Sequence, residues 1–189
     1  IWDIIVTDAQ EASADEPIMA SFFEAAILNH SSLEAALSYH LAQQLGSLTL
    51  PAGQLSEVIA DALRADPSIG RSIRLDIEAY FERDAACDSH VTPILFFKGF
   101  QALQLQRISH WLWRHDRRVL ALFFQNQISE TFAIDIHPGA QIGSGIMIDH
   151  GTGLVIGETA IIGNDVSILH SVTLGGSGCI GGDRHPKIG

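Results

Sequence analysis

The sequence predicts an α+β protein of two parts, an N-terminal α-helical domain over residues 1–130 and a left-handed parallel β-helix over residues 131–189. Two observations predict this fold class. Four of the 17 glycines lie in residues 1–130, and the other 13 lie in residues 131–189. Near the same boundary, the spacing of the aliphatic residues changes from the three or four residues of a helix to six.

Helix start signals recur through the first part. They are residues whose side-chain oxygen can cap a helix N-terminus, or prolines that fit a first helical turn. Apolar residues at helical spacing follow these signals, for example Leu33, Leu37 and Leu41, and a further stripe covers residues 58–63. In chain order the signals are Pro17, Ser31 with Glu34, Pro67, Thr92 with Pro93, and Asp116.

A six-residue repeat runs through the second part. Each unit is read as a short strand plus a turn, with its aliphatic side chain pointing into a triangular prism, and three units make one coil. The aliphatic positions are Ile136, Ile142, Ile148, Ile156, Ile162, Ile168 and Leu174. Four residues after each of these stand Ala140, Ile146, Thr152, Ala160, Val166, Val172 and Gly178, which are also expected to point inward.

The repeat is interrupted twice. Ile148 and Ile156 are eight residues apart rather than six, so two extra residues fall within 149–153. A second stretch, 179–185, fits no six-residue unit, and the pattern resumes only at the last residues, so the coils are expected to continue beyond Gly189. Departures from a regular pattern concentrate at functional sites, and both interruptions carry charged side chains and histidines.

Composition argues against several function classes. The net charge of −11 argues against nucleic acid or an anionic membrane as the main partner, because phosphate binding needs clustered Lys and Arg. No apolar run is long enough to cross a bilayer, and no signal peptide is recognisable. Cys87 and Cys179 have no metal-type spacing, which indicates a reducing compartment and predicts a cytoplasmic protein.

His150, inside the first interruption, is the candidate general base. Transfer of an acyl group from a thioester to a hydroxyl needs a base for the hydroxyl proton, and a histidine oriented by a carboxylate is the usual one. Asp135 precedes His150 by less than the roughly 18 residues of one coil and is expected to lie near it, one coil away. Asp149 is adjacent in sequence, but strand alternation would point its side chain the other way.

Other reactive residues are interpreted as structural. His137 lies at a corner beside Pro138, and His170 lies in a regular unit of the repeat. Cys179 lies in the second interruption, where no neighbour in the sequence would activate its thiol as a nucleophile.

Four motifs together resemble the serine O-acetyltransferase family of hexapeptide-repeat acyltransferases. They are Asp135-Ile136-His137-Pro138, Asp149-His150-Gly151-Thr152-Gly153, Val172-Thr173-Leu174-Gly175-Gly176 and Gly182-Asp183-Arg184-His185-Pro186-Lys187. The helical part adds Glu16-Pro17, Arg83-Asp84 and Lys98-Gly99-Phe100, so the resemblance covers nearly all of the chain.

The resemblance implies an activity and a set of roles. The activity would be transfer of acetyl from the cosubstrate acetyl-CoA to the L-serine hydroxyl, the first step of cysteine biosynthesis, with no metal and no acyl-enzyme. The implied roles are general base for His150 with Asp135 as its partner, ammonium binding for Asp84 and Asp149, carboxylate binding for Arg184 and His185, and CoA contacts for Gly176 and Ser177.

The resemblance also implies partners. These are a homotrimer or dimer of trimers with active sites between neighbours, L-cysteine as a feedback inhibitor, and O-acetylserine sulfhydrylase bound through a C-terminal tail beyond Gly189. The loop 177–181 departs from the family pattern because it lacks the usual Lys and Glu. This departure falls on the loop from which the resemblance implies CoA contacts.

Three other functions fit parts of the pattern. A hexapeptide acetyltransferase with a sugar or antibiotic acceptor would keep the base without needing charged groups to grip an amino acid. A β-helix metal enzyme of the carbonic anhydrase type would need three converging histidines, and no close histidine pair favours it. A non-catalytic trimeric scaffold would make His150 dispensable.

Overall fold

The structure, a computed structural model, describes residues 1–176 and 181–189. Its first part is helical, and its second part is built from short parallel strands. The helices are α1 (Trp2–Asp15), α2 (Ala20–Phe23), α3 (Leu33–Leu45), α4 (Ala52–Ala65), α5 (Pro67–Arg83), α6 (Val91–Phe96), α7 (Lys98–Arg114) and α8 (Arg118–Phe132). A 3₁₀ turn at Pro17–Met19 precedes α2, and a π-helical turn at Glu24–Leu28 follows it.

Most predicted helices are present, with corrections at their starts. Helix α3 is capped by Ser32, whose hydroxyl accepts from the Ala35 amide, and not by Ser31. The helix expected to open at Thr92-Pro93 is two helices, because Phe97 leaves helical geometry at φ −95° and ψ 104°. Asp116 caps nothing: it has a left-handed φ of 58°, and α8 begins two residues later.

The second part confirms the predicted left-handed parallel β-helix. Its strands are β1 (Ile134–Ile136), β2 (Gln141–Ile142), β3 (Met147–Ile148), β4 (Leu154–Ile156), β5 (Ile161–Ile162), β6 (Ser167–Ile168), β7 (Thr173–Leu174) and β8 (Lys187–Ile188). They form three parallel sheets, ordered β1-β4-β7, β2-β5-β8 and β3-β6, which are the three faces of the prism.

Strand registers confirm both interruptions. Val155 pairs with Thr173, which is the regular spacing of three six-residue units. Ile134 pairs with Leu154, two residues more, so the first interruption widens one corner. Ile161 pairs with Lys187, eight residues more than the regular spacing, so eight extra residues lie between these two paired strands.

The aliphatic repeat fills the prism, with one exception at the first interruption. Ile148, Ile156 and most other repeat positions are buried. Thr152 was expected to point inward and is exposed. Gly151 is buried at that level instead, and a Cβ there would lie 2.6 Å from the Ile134 side chain. Because of the two extra residues, the residue that points inward at this level is Gly151 and not Thr152.

Side chains of α5 and α7 close the open edge of the first coil. A solenoid must cap its terminal repeat, because unpaired backbone groups at its end are costly when buried. Asp76 accepts from the Ile146 amide at 2.9 Å. Tyr80 Oη donates to Ile148 O at 2.7 Å and accepts from Ile148 N at 2.9 Å. Arg107 donates to the carbonyls of Ile142 and Gly143. The helical part therefore docks on the prism through buried polar contacts.

Candidate active site

A cavity of about 420 Å³ lies where the helical part meets the widened corner of the prism. One wall is the end of β3 and the first interruption. The other wall comes from the end of α5 and the start of α7. Its lining residues are Tyr80, Asp84, Ala86, Phe96, Phe97, Lys98, Gly99, Ile148, Asp149, His150 and Thr152. Three of the residues predicted for the site, Asp84, Asp149 and His150, therefore share one cavity.

His150 lies at the turn of the widened corner. Its φ of 58° is left-handed, a conformation that non-glycine residues adopt rarely and that clusters at functional sites. Its side chain is 73% exposed, so the imidazole is available to a ligand. The rings of His150 and His170 lie 6.3 Å apart between centroids, because the register sets these residues in successive coils.

Asp149 faces the same side as His150, which corrects the expectation from strand alternation. Asp149 Oδ1 lies 3.5 Å from His150 Nε2. Strand β3 ends at Ile148, and the left-handed backbone at His150 turns its side chain back toward that of Asp149. Alternation holds only within extended backbone.

Asp135 lies in the middle of β1, opposite Val155 in the next coil. Its carboxylate accepts a hydrogen bond from Gln125 Nε2 of α8 at 2.7 Å. Within the part of the chain that the structure describes, no hydrogen bond joins Asp135 to His150. The predicted dyad is therefore not assembled within this single chain.

Asp84 ends α5 and enters the cavity from the helical side. Its carboxylate accepts from the Ala86 amide at 2.9 Å, which fixes the turn that follows the helix. Since Asp149 lines the same cavity from the prism, two carboxylates converge on it from separate parts of the fold. Such a pair suits an ammonium group.

Arg184 and His185 form a second cluster, away from this cavity. Arg184 Nη2 donates to Glu158 Oε2 at 2.6 Å, and this hydrogen bond holds the pKa of Glu158 below its ordinary value. Thr159 Oγ1 accepts from the backbone amides of Arg184 and His185. These contacts hold Arg184 and His185, at the end of the second interruption, against the corner that follows β4.

The His185 ring is held in one orientation. Its Nδ1 accepts from the Thr159 amide at 3.1 Å, which leaves Nε2 as the protonated nitrogen of the neutral ring. The ring packs on Gly157, where a Cβ would lie only 2.0 Å from Nε2. Gly176 is also close, with a Cβ position 3.2 Å from the same nitrogen. Ser177, predicted beside Gly176, and Cys179 lie outside the described residues.

Two cavity residues carry chemistry that the sequence reasoning left unassigned. Lys98 donates to Thr152 Oγ1, and the Tyr80 hydroxyl contacts both backbone groups of Ile148. The sequence did single out Lys98-Gly99-Phe100 as a motif. Nothing in the sequence, however, showed that this helix start meets the first interruption.

Over residues 1–176 and 181–189, no group of three or more His, Cys, Asp or Glu side chains is arranged to hold a metal ion. Within the same described ranges, no helix is both long and apolar enough to cross a membrane.

Comparison with known proteins identifies relatives over the whole chain. Residues 1–105 match the family model described as serine acetyltransferase, N-terminal. The serine acetyltransferase of Escherichia coli strain K12 is 55% identical over 188 residues, covering 100% of this chain and 69% of that protein.

Solved structures agree with this match. The serine acetyltransferase of Neisseria gonorrhoeae in complex with serine superposes with a TM-score of 0.96 at 49% identity, covering 99% of this chain and 77% of the other. A serine acetyltransferase in complex with cysteine also gives 0.96, at 52% identity, covering 98% of this chain and 72% of the other.

Proposed function

This chain belongs to the serine acetyltransferase family and is an acyltransferase, and from that premise we propose that the cavity around His150 is where acetyl passes from acetyl-CoA to the L-serine hydroxyl. The products are O-acetyl-L-serine and CoA, the first step of cysteine biosynthesis from serine. The observation that carries this proposal is the convergence of Asp84, Asp149 and His150 on one cavity.

The two carboxylates are the proposed site for the serine ammonium. Asp84 and Asp149 approach the cavity from opposite walls, so an ammonium between them can donate to both. A neutral sugar has no ammonium group to donate to two carboxylates. This charge arrangement favours an amino acid over a neutral sugar acceptor.

His150 is the proposed general base. It takes the proton of the serine hydroxyl as the oxygen attacks the thioester carbonyl, and then gives that proton to the departing CoA sulfur. The C–O bond forms first and the carbonyl oxygen takes the negative charge of a tetrahedral intermediate, whose collapse breaks the C–S bond, with no covalent enzyme intermediate. The backbone near Gly176 would donate to the developing oxyanion, and Asp135 would orient the imidazolium once an assembled site brings the two together.

Assembly supplies the carboxylate-binding residues in this proposal. Arg184 and His185 lie at a different corner of the prism from His150, so one chain cannot present both to one ligand. A homotrimer, or a dimer of trimers, would join one chain's His150 corner to its neighbour's Arg184 corner.

Three further proposals follow from family membership. L-cysteine, which differs from serine in one atom, is the proposed feedback inhibitor in this cavity, supported by the relative solved with cysteine. The proposed location is the cytoplasm. O-acetylserine sulfhydrylase, which consumes the product, stays a predicted partner.

The test is release of CoA from acetyl-CoA with L-serine, or with sugars, as the acceptor. Serine-dependent release is expected. His150→Ala should lower kcat by roughly 10²- to 10⁴-fold, the usual contribution of a general base, with the assembly unchanged in size-exclusion chromatography. His115→Ala is the matched control, because His115 is exposed and stacks on Trp111 outside the cavity.

Three outcomes would contradict the proposal. Transfer to sugars without transfer to serine would favour another hexapeptide acetyltransferase. A His150→Ala protein as active as the His115→Ala control would remove the proposed base, and a protein inactive with every acceptor would favour the scaffold.

A further inference from the structure

The corner that carries His150 is held by an unusual backbone. His150, Gly151 and Gly153 all have positive φ, with values of 58°, 70° and 75°. The Gly151 amide contacts Asp149 O at 2.6 Å, and the Thr152 carbonyl accepts from the Ser171 amide of the next coil. A non-glycine residue in the left-handed region, such as His150, is held there only where the surrounding structure fixes it, so what packs against this turn matters for its geometry.

The start of α7 packs against this corner on both sides of His150. Gly99 lies so close to β3 that an added Cβ would be 2.0 Å from the Ile148 carbonyl oxygen. One residue earlier, Lys98 Nζ donates to Thr152 Oγ1. The helix therefore contacts the residue before Asp149 and the residue after Gly151.

Lys98 stands at an unfavourable position for a lysine. It is the first residue of α7, where the helix dipole disfavours a positive charge. Its amine is directed to the corner and lies in a cavity with two carboxylates, Asp84 and Asp149. A positive charge at this unfavourable end of the helix dipole is explained if the hydrogen bond from Lys98 to Thr152 is needed.

We propose that Lys98 is a positioning residue for the reaction, and that it acts through its hydrogen bond to Thr152 by fixing the turn that presents His150 and Asp149. This inference rests on the proposed function for its activity readout. Lys98 need not touch the substrate, and Thr152, exposed and outside the repeat's interior, is its link to the base. Displacement of a base by about 1 Å can lower a rate roughly 10²-fold.

A double-mutant cycle tests this link. Lys98→Met keeps the side-chain length and removes the amine, and Thr152→Val keeps the shape and removes the hydroxyl. Each change is expected to lower kcat/KM about 10- to 100-fold. The kcat/KM of the double variant should lie within about 2-fold of that of the less active single variant, because the effects of residues that act through one contact are not additive. Thr152→Ser, which keeps the hydroxyl, should remain near wild type.

Several results would overturn the inference. Multiplicative losses in the double variant would show that Lys98 acts directly on the substrate. A Thr152→Val protein with wild-type kcat/KM, or a Thr152→Ser protein as impaired as Thr152→Val, would show that the hydroxyl is not the link. If Lys98→Met fails to fold, the comparison of Thr152→Val with Thr152→Ser decides alone.

A second measurement separates this inference from the proposed function. Amide hydrogen exchange over 149–153 should accelerate in Lys98→Met and Thr152→Val but not in Thr152→Ser, whether or not serine is the acceptor. Unchanged exchange in the first two variants would overturn the positioning role. A wild-type protein that releases no CoA with serine would instead contradict the proposed function and leave the exchange result standing.

Discussion

Replacing Asp76 with alanine is expected to be the most damaging single change to the junction of the two parts. The Asp76 side chain is completely buried and ion-paired with Arg107, whose side chain is 7% exposed. Its carboxylate accepts from Arg107 Nη2 at 2.8 Å, Gln104 Nε2 at 3.1 Å and Ile146 N at 2.9 Å. Burial raises the pKa of Asp76, against the opposing attraction of the Arg107 guanidinium.

The magnitude follows from what Asp76→Ala leaves behind. Removing one partner of a buried ion pair costs about 3–5 kcal/mol. Arg107 would still donate to the carbonyls of Ile142 and Gly143, which favours the lower end, but the Ile146 amide would lose its acceptor, at about 1–3 kcal/mol. We expect a loss of about 4 kcal/mol in the free energy of unfolding, or roughly 8–16 °C in Tm for a chain of this length.

Thermal unfolding by circular dichroism and urea unfolding at a fixed protein concentration would measure this loss. Asp66→Ala is the matched control, because the half-buried Asp66 caps α5 through the Ser68 amide and its loss should cost only about 1 kcal/mol. The double variant Asp76→Ala/Arg107→Met should lose much less free energy of unfolding than the sum of the losses in the two single variants. Equal losses in Asp76→Ala and Asp66→Ala, or additive losses in the double variant, would refute the reasoning.

Two further predictions concern substrate binding and pH. Gly157→Ala should raise KM for serine at least about 10-fold with little change in Tm, because the new methyl group would lie 2.0 Å from the His185 ring and would displace it. Steady-state kinetics would measure KM. An unchanged KM would show that His185 does not bind serine. Burial lowers the pKa of His40 below its ordinary value of 6.5. Below about pH 6.5, His40 takes up a proton in the unfolded chain more readily than in the folded chain, so the free energy of unfolding should fall as pH falls. Urea titrations between pH 7.5 and 5.5 should show a smaller fall in His40→Gln than in the wild type. Equal falls in the two proteins would contradict this prediction.

The repeat could be predicted from sequence because it depends on local periodicity. Aliphatic residues recur every six residues because each short strand points one such side chain inward. Both interruptions are visible as changes in this spacing. Charged residues at the interruptions led to Asp149, His150, Arg184 and His185. Helix starts were predicted less well: the capping-box spacing of Ser31 and Glu34 favoured Ser31, but the backbone makes Ser32 the cap of α3.

The site itself required contacts between distant segments. Alternation predicted that Asp149 would point away from His150, and the left-handed φ of His150 reversed this. The inward position was assigned to Thr152, and the packing of Gly151 against Ile134 changed it. Both errors arise in the same five residues, where the two inserted residues and the left-handed backbone break both the strand alternation and the six-residue repeat.

By itself, the sequence determined the helical part, the β-helix, its two interruptions and the charged residues and histidines that those interruptions carry. These properties are encoded by spacing and residue type. Only the tertiary structure decided that α5 and α7 cap the first coil, that Lys98 reaches Thr152, and that the Arg184 and His150 corners stay apart in one chain. Those contacts join residues that are far apart in sequence, and their geometry depends on how two separately patterned parts dock.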